Sequence, residues 1–397
     1  MGVGRREDFG WEAAVSSVGS FGFAGLLRKI EMPARVFYGR AMRISLCFFS
    51  VLALFGVAGC DSKQAGSDGG RPVRDLGGYT AVTKSPGTNA AAAKGYTIAV
   101  IPKGTTHEFW KSINAGAVKA QRELVAKGTP VEIIWKGPLR EDDRDQQIQV
   151  VENFIQRRVS GIVLAPLDST ALAAPVASAA SANIPTIVID SGLKSDKIVS
   201  YIATDNFKGG QLGGEHLAKL LGGKGNVILL RYQVGSASTE ERESGFLEAM
   251  KKFPDIKLIS ADQYAGATRE SAYQAAQNLL NRHGRDVNGV FAPCEPVTIG
   301  LAKALRDIGR AGGAVKLVGF DAGTQAVEGL QKGDVQGLIV QSPVNMGYLG
   351  VMTMVEHLQG RKIEKVVDTG VKLVTAENME QPEIKDLLNP PLDKYLK

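Results

Sequence analysis

The chain has 397 residues, 44% of them hydrophobic and 22% charged, with a formal net charge of +6. That length exceeds one compact α/β core and suits two domains, which commonly hold ~100–200 residues each. No dense basic cluster accompanies the positive balance, so a nucleic-acid partner is excluded.

The first element is an apolar run, 46–57, within SLCFFSVLALFGVAGCDSK (45–63). About a dozen apolar residues fall short of the ~20 that span a bilayer as a helix. Met42 and Arg43 precede the run, giving a start, a positive n-region and an h-region in that order. Val57, Ala58 and Gly59 then lead into Cys60. The arrangement resembles the bacterial lipoprotein signal, where cleavage before a cysteine leaves that cysteine to carry lipid. Translation is therefore expected from Met42, with 1–41 an upstream extension, 42–59 a signal peptide and Cys60 the lipidated residue. A buried helix with a chance cysteine fits less well, because hydrophobicity drops abruptly after Cys60.

Residues 1–59 carry seven Lys/Arg and four Asp/Glu, so cleavage halves the net charge of +6. Of three cysteines, Cys47 lies in the leader and Cys60 at the anchor. Only Cys294 is left in the body, and no internal disulfide is expected. Residues 60–95 are rich in Gly, Ser, Thr and Ala without an apolar period, and read as a flexible tether. A reach of roughly 5–6 Å × √n places the body about 30–35 Å from the anchor.

From Tyr96 onward, β-branched runs alternate with helical stretches. Strands are predicted at 97–101, 131–135, 161–165, 186–190, 199–203, 226–230, 256–260, 289–292, 316–320 and 337–341. Between them, apolar residues recur at helical spacing, as in Ile148, Val151, Ile155 and Leu301, Leu305, Ile308. Repeated βα units with nearly all-apolar strands mean parallel sheets covered on both faces. Ten strands with a break near Thr204 predict two doubly wound α/β lobes. The glycines of KGGQLGGEHLAK (208–219) lie in a helical stretch and serve close packing; a phosphate loop would end in Lys-Ser/Thr after a strand.

Ligands of such sheets bind beyond the carboxyl ends of the strands. Asp190 closes TIVID, Thr204 follows VSYIA, Cys294 and Glu295 follow GVFAP, Asp321 follows KLVGF and Gln341 closes GLIVQ. Phe109 and Trp110 open the helix after the first strand. Arg242 lies in a helix expected to be capped by Ser238 or Thr239 and to end near Phe253. Carboxylates, an arginine, amides and aromatic faces are what a neutral polyol demands. Asp and Gln oxygens accept its hydroxyl protons, Arg and amide N–H groups donate to its lone pairs, and rings pack on its C–H face. Any one acid alone would pass as a helix cap; their recurrence at one end of several strands is the signal.

The motifs HEFWKSINAGA, GIVLAPLDSTAL, NIPTIVIDS, ATDNFKGGQLGGEHLAK, ERESGF and LVGFDAGTQAVEGLQKGDVQGLIVQSP, in this order, resemble the type I periplasmic sugar-binding proteins of ABC transporters, most of all the ribose-binding type. The likeness runs from Tyr96 to about Val374. It implies two Rossmann-like lobes joined by a three-strand hinge, here 96–204 plus 342–370 and 205–341 plus 371–397. By position it implies stacking by Phe109 and Trp110, hydrogen bonding by Asp190, Arg242 and Asp321, and crossovers at Thr204-Asp205, Gln341 and Gly370-Val371, with Thr204 beside the ligand.

The departures from the ribose type are His107, Ala165 and Cys294 where it has ligand-binding asparagines, with Glu295 beside the last. Ala267 falls where it has an aromatic, with Tyr264 the nearby replacement. Two alanines leave room for a hexose or larger polyol. The resemblance implies a lipid-anchored, extracytoplasmic, monomeric receptor that hands a monosaccharide-like molecule to an ABC permease and touches membrane only through its anchor. A sensor presenting its closed form to a kinase or chemoreceptor is the alternative. A repressor of this fold would need a helix-turn-helix that 1–95 lacks. No HExxH, paired cysteines or nucleophile elbow is present, so no enzyme, metal or cofactor is expected; Cys294 reads as a packing residue.

Overall fold

Valine and isoleucine crowd the strands because a β-branched side chain packs well on a pleated surface. The computed structural model describes residues 95–396. The expected extension, signal peptide, Cys60 and all but the last residue of the tether lie outside the described residues.

In chain order the elements are β1 (Tyr96–Ile101), α1 (Glu108–Ala126), β2 (Val131–Trp135), α2 (Arg144–Gln156), β3 (Gly161–Leu164), α3 (Ala173–Ser181), β4 (Thr186–Ile189) and β5 (Ser200–Ala203). Then follow α4 (Asn206–Leu220), β6 (Lys224–Arg231), α5 (Ala237–Met250), β7 (Asp255–Tyr264), α6 (Arg269–His283), β8 (Gly289–Phe291), α7 (Glu295–Asp307), β9 (Lys316–Phe320), α8 (Thr324–Lys332) and β10 (Gly337–Val340). The chain closes with α9 (Pro343–Leu358), β11 (Val366–Asp368), β12 (Lys372–Val374), α10 (Pro382–Leu388) and a 3₁₀ turn at Leu392–Lys394.

The strands form two six-stranded sheets, ordered β11-β5-β4-β3-β1-β2 and β12-β10-β9-β8-β6-β7. All pairings are parallel except β12 against β10, which is antiparallel. Each sheet is covered on both faces. In β1, Ile98 and Val100 pack against α1 and α9, while Ala99 and Ile101 pack against α2 and α3. That is the period of two a strand imposes. The second sheet repeats the plan, with α4 and α5 on one face and α6, α7, α8 and α10 on the other.

The chain passes between lobes after β5, after β10 and after β11. The sequence pattern omits β11 and β12, because three-residue strands are too short to show a period. They flank the third crossing, one strand in each sheet. Helix α5 starts at Ala237, with Ser236 at its N-cap, and ends at Met250. Ser238 and Thr239 therefore sit inside its first turn and do not cap it.

Two glycine contacts fix how the lobes are built. A Cβ on Gly210 of α4 would lie 1.9 Å from the carbonyl oxygen of Arg242 on α5, so only glycine lets these helices approach. Gly116 of α1 does the same against the Val344 carbonyl of α9, also 1.9 Å. The first of these contacts holds Arg242 at its depth.

Candidate functional site

The functional side chains come from strand ends and the loops just past them, as a parallel sheet dictates. Lys103 and His107 follow β1, Glu141 precedes α2, and Asp190 follows β4. From the other lobe, Tyr232 follows β6, Ser238, Thr239 and Arg242 lie on α5, Cys294 and Glu295 follow β8, and Asp321 follows β9. Gln341 follows β10 at a crossover. All of these, with Phe109, Trp110 and Pro296, line one interlobe cleft with about 30 Å³ of open space.

Hydrogen bonds bridge the cleft directly. Lys103 Nζ pairs with Asp190 Oδ2 at 3.1 Å and donates to Ser238 Oγ at 3.0 Å and Ser236 Oγ at 3.3 Å in the other lobe. All three ammonium protons are thereby used. Glu141 Oε1 accepts from Trp110 Nε1 at 2.8 Å and pairs with His107 Nδ1 at 2.5 Å. Its Oε2 accepts across the cleft from Tyr232 Oη at 2.9 Å.

On the second lobe, Asp321 Oδ2 accepts from the Glu295 amide at 3.0 Å and Oδ1 from Gln341 Nε2 at 2.7 Å. Glu295 pairs with Arg269. Arg242 donates from Nε to Asn206 Oδ1 at 2.8 Å and from Nη1 to the Pro293 carbonyl at 3.0 Å, with its guanidinium 4.0 Å from the centre of the Phe320 ring. Of the second-lobe and crossover residues that line the cleft, three bear a buried atom with no hydrogen-bond partner among the described residues: Arg242 Nη2, Glu295 Oε2 and Gln341 Oε1.

Burial sets the electrostatics. It would push His107 down, but the hydrogen bond and charge of Glu141 outweigh it and raise the imidazole above its ordinary 6.5. Burial would likewise raise Glu141, yet His107, then Lys103 and Trp110, bring it below 4.5. Desolvation raises Glu295 despite Arg269, and raises Asp321 despite Arg242. It also pushes the Cys294 thiol well up, with help from the Asp321 charge.

Nine sequence-predicted residues, namely His107, Phe109, Trp110, Asp190, Arg242, Cys294, Glu295, Asp321 and Gln341, line this cleft. Thr204 stands apart from it. Its hydroxyl lies 3.3 Å from the Gly370 carbonyl, to which it donates, and 3.5 Å from Thr369 Oγ1, so it ties two crossovers together. Ala165 and Ala267 are buried in the hydrophobic core and do not line the cleft. Tyr264 is 47% exposed at the end of an edge strand, and Tyr232 is the second-lobe aromatic that faces the cleft.

Sequence reasoning missed Lys103, Glu141, Tyr232, Ser238 and Thr239 as cleft residues. Lys103 stands two residues past β1 and obeys the strand-end rule already applied to Asp190. Glu141 sits in REDDRD, which reads as a solvated charge run. Tyr232 lies just beyond a strand predicted to end at residue 230, whereas β6 runs to Arg231.

The periplasmic binding protein domain family matches residues 98–362. The chain is a periplasmic binding protein. It is 30% identical to the ribose import binding protein of Escherichia coli over 300 residues, covering 75% of this chain and 97% of that one. A carbohydrate transporter solute-binding protein from Agrobacterium radiobacter, solved with D-arabinose, superposes with a TM-score of 0.69 at 34% identity, over 74% of this chain and 99% of that one. A solute-binding protein from Agrobacterium vitis with bound D-fucose gives 0.69 at 32% identity, over 74% and 100%. This periplasmic binding protein thus has the type I fold of two parallel-sheet lobes expected from its motifs. Its relatives are transporter binding proteins, and it is a binding protein and not an enzyme.

Proposed function

We propose that this periplasmic binding protein captures a neutral monosaccharide-like polyol in the interlobe cleft and delivers it to an ABC permease. The observation that carries the reading is the ring of buried polar groups with three unpartnered atoms, a donor on Arg242 and acceptors on Glu295 and Gln341. Buried polar atoms cost free energy unless paired, and a sugar hydroxyl, donor and acceptor at once, pairs with both kinds. Trp110 and Phe109 meet edge to face, centroids 5.0 Å apart, and supply the apolar wall for a ring.

Charge balance favours a neutral ligand. With His107 protonated, Lys103, His107, Arg242 and Arg269 offset Glu141, Asp190, Glu295 and Asp321, and a net ionic ligand would bury an uncompensated charge. Relatives named for ribose and structures holding D-arabinose and D-fucose support the same class.

The lobe boundaries at Thr204, Gln341 and Gly370, a lipid anchor on Cys60 with translation from Met42, and a monomeric receptor complete the proposal. Membership of the family implies a location outside the cytoplasmic membrane. The direct test titrates the chain with pentoses, hexoses and polyols while Trp110 fluorescence and melting temperature are followed. A ligand at 100 times its Kd adds about 2.7 kcal/mol of stability. A response to one or two sugars that disappears in Asp321→Ala supports the assignment; silence across the panel rejects it.

A further inference from the structure

The segment 232–238, which runs from the end of β6 into the first turn of α5, makes seven hydrogen bonds to the first lobe. Tyr232 Oη donates to Glu141 Oε2 at 2.9 Å, and Gln233 Nε2 to the Glu141 carbonyl at 2.9 Å. The Val234 carbonyl accepts from Arg144 Nη2 at 3.2 Å, and the Gly235 carbonyl from the Ser169 amide at 2.9 Å. Lys103 donates to the Ser236 and Ser238 hydroxyls, and the Ser238 amide donates to Ser191 Oγ at 3.1 Å.

The first-lobe side of this contact is itself held in place. Asp168 Oδ1 accepts from the Thr170 and Ala171 amides at 2.9 Å each, and its Oδ2 pairs with Arg144 Nε at 2.8 Å. Those bonds aim the Arg144 guanidinium and the Ser169 amide at the segment. Gly235 completes the fit, with φ at 93° and room for no Cβ, which would lie 2.4 Å from Asp168 Oδ2. A side chain there would be strained by its own backbone and would collide with the other lobe.

The segment also sits far from the hinge. β6 stands three strands from β10, where the chain crosses between lobes, about 14 Å at ~4.7–4.9 Å per strand. With that lever arm a hinge rotation of about 5° moves the segment about 1 Å, which takes an N–H···O bond out of its ~2.7–3.2 Å range. We propose that 232–238 is a closing latch, a segment that seals the two lobes through its own bonds and thereby sets how long a captured molecule is held. Gln233 and Arg144 carry latch bonds yet do not line the cleft, so release is governed in part by residues that touch no ligand. The retention role rests on the capture reading above, whereas the latch rests on the bonds between the lobes.

The experiment compares the full chain with a double variant, Gln233→Ala with Arg144→Ala. Hydrogen exchange read by mass spectrometry follows the Ser169 and Ser238 amides, both of which donate across the lobes. Loss of two latch bonds should speed exchange there about tenfold or more, with the interior amides of β1 and β6 exchanging as in the parent. Arg140→Ala breaks a surface pair with Asp142 in the same loop and should match the parent. Stopped-flow Trp110 fluorescence with D-ribose, D-arabinose and D-fucose then reads retention. A sugar that binds should leave the double variant about tenfold faster, with its association rate unchanged. Unprotected amides in the parent, no faster exchange in the double variant, or faster exchange spread equally over β1 and β6 would each overturn the latch. An unchanged release rate beside faster exchange overturns its role in retention. Failure of all three sugars to bind counts against the capture reading and leaves the latch decided by exchange.

Discussion

Asp190 and Asp321 occupy the same position in the two lobes. Each follows the fourth strand that its lobe contributes in chain order, and each adopts a left-handed backbone, φ 64° and 70°. The amide of each is held by the neighbouring strand, Asp190 N donating to the Ile202 carbonyl at 3.1 Å and Asp321 N to that of Ile339 at 2.9 Å. Left-handed backbone at a non-glycine residue is costly, and Asp and Asn tolerate it best. The fold thus spends strain at two matched points to aim two carboxylates into one cleft.

That geometry separates two substitutions. Asp321→Asn keeps a side chain that accepts the left-handed turn; Asp321→Ala does not. Urea unfolding should show Asp321→Ala less stable than Asp321→Asn by about 1–2 kcal/mol, the left-handed penalty for an ordinary residue. Equal stabilities would mean the conformation carries no cost. Sugar affinity should fall in the alanine variant by about 2–5 kcal/mol, the range for losing one partner of a buried charged hydrogen bond.

Lys103 and Asp190 are each 4% exposed at the side chain, so neither charge has water to fall back on. Lys103→Met leaves a buried carboxylate uncompensated and should cost about 3–5 kcal/mol of stability. Adding Asp190→Asn removes the stranded charge and should recover part of the loss. The test is the unfolding free energy of both single variants and the double. Additive losses would show that the two groups are not coupled.

Much of this was legible before any coordinates. The ten main strands, the two lobes and the strand-end residues follow from period, β-branching and the rule for parallel sheets. What escaped had physical causes. β11 and β12 are set by pairing with β5 and β10 and carry no period of their own. Glu141 looked solvated because its neighbours Arg140 and Asp142 are, the two pairing with each other at the surface. Only the tertiary fold turns Glu141 inward, onto His107, Trp110 and Tyr232. Its position after β5 predicts Thr204 in the cleft, but its hydroxyl turns to the crossover at Gly370.

The His107–Glu141 pair predicts a pH profile. His107 has a raised pKa, so its contribution to stability is complete below the ordinary value of 6.5 and is lost as pH rises through the raised one. Glu141 is lowered, so its contribution is complete above 4.5 and lost as pH falls through the lowered value. The stability difference between the parent and His107→Gln should therefore be largest between 4.5 and 6.5, on the order of 1 kcal/mol or more, and shrink at alkaline pH. Asp321, raised by burial and opposed first by Arg242, titrates alike in the parent and the variant. The His107 charge holds Glu295 down in part, so Glu295 rises further in the variant and adds to the difference. A difference independent of pH would remove His107 as the titrating partner.

Cys294 gives the last prediction, because two influences on its thiol oppose each other. It stands at the N-cap of α7, where the helix dipole lowers a thiol pKa. It is also only 7% exposed and faces the Asp321 and Glu141 charges, and burial first, then those charges, push the pKa well up. The net direction is upward, so the thiol stays protonated near neutral pH and iodoacetamide should leave Cys294 unlabelled in native buffer. In denaturant it should label fully. Peptide mapping by mass spectrometry distinguishes it from Cys47 and Cys60. Rapid labelling of the native chain would mean an accessible thiolate at the cleft, and the packing role assigned to Cys294 would have to be abandoned.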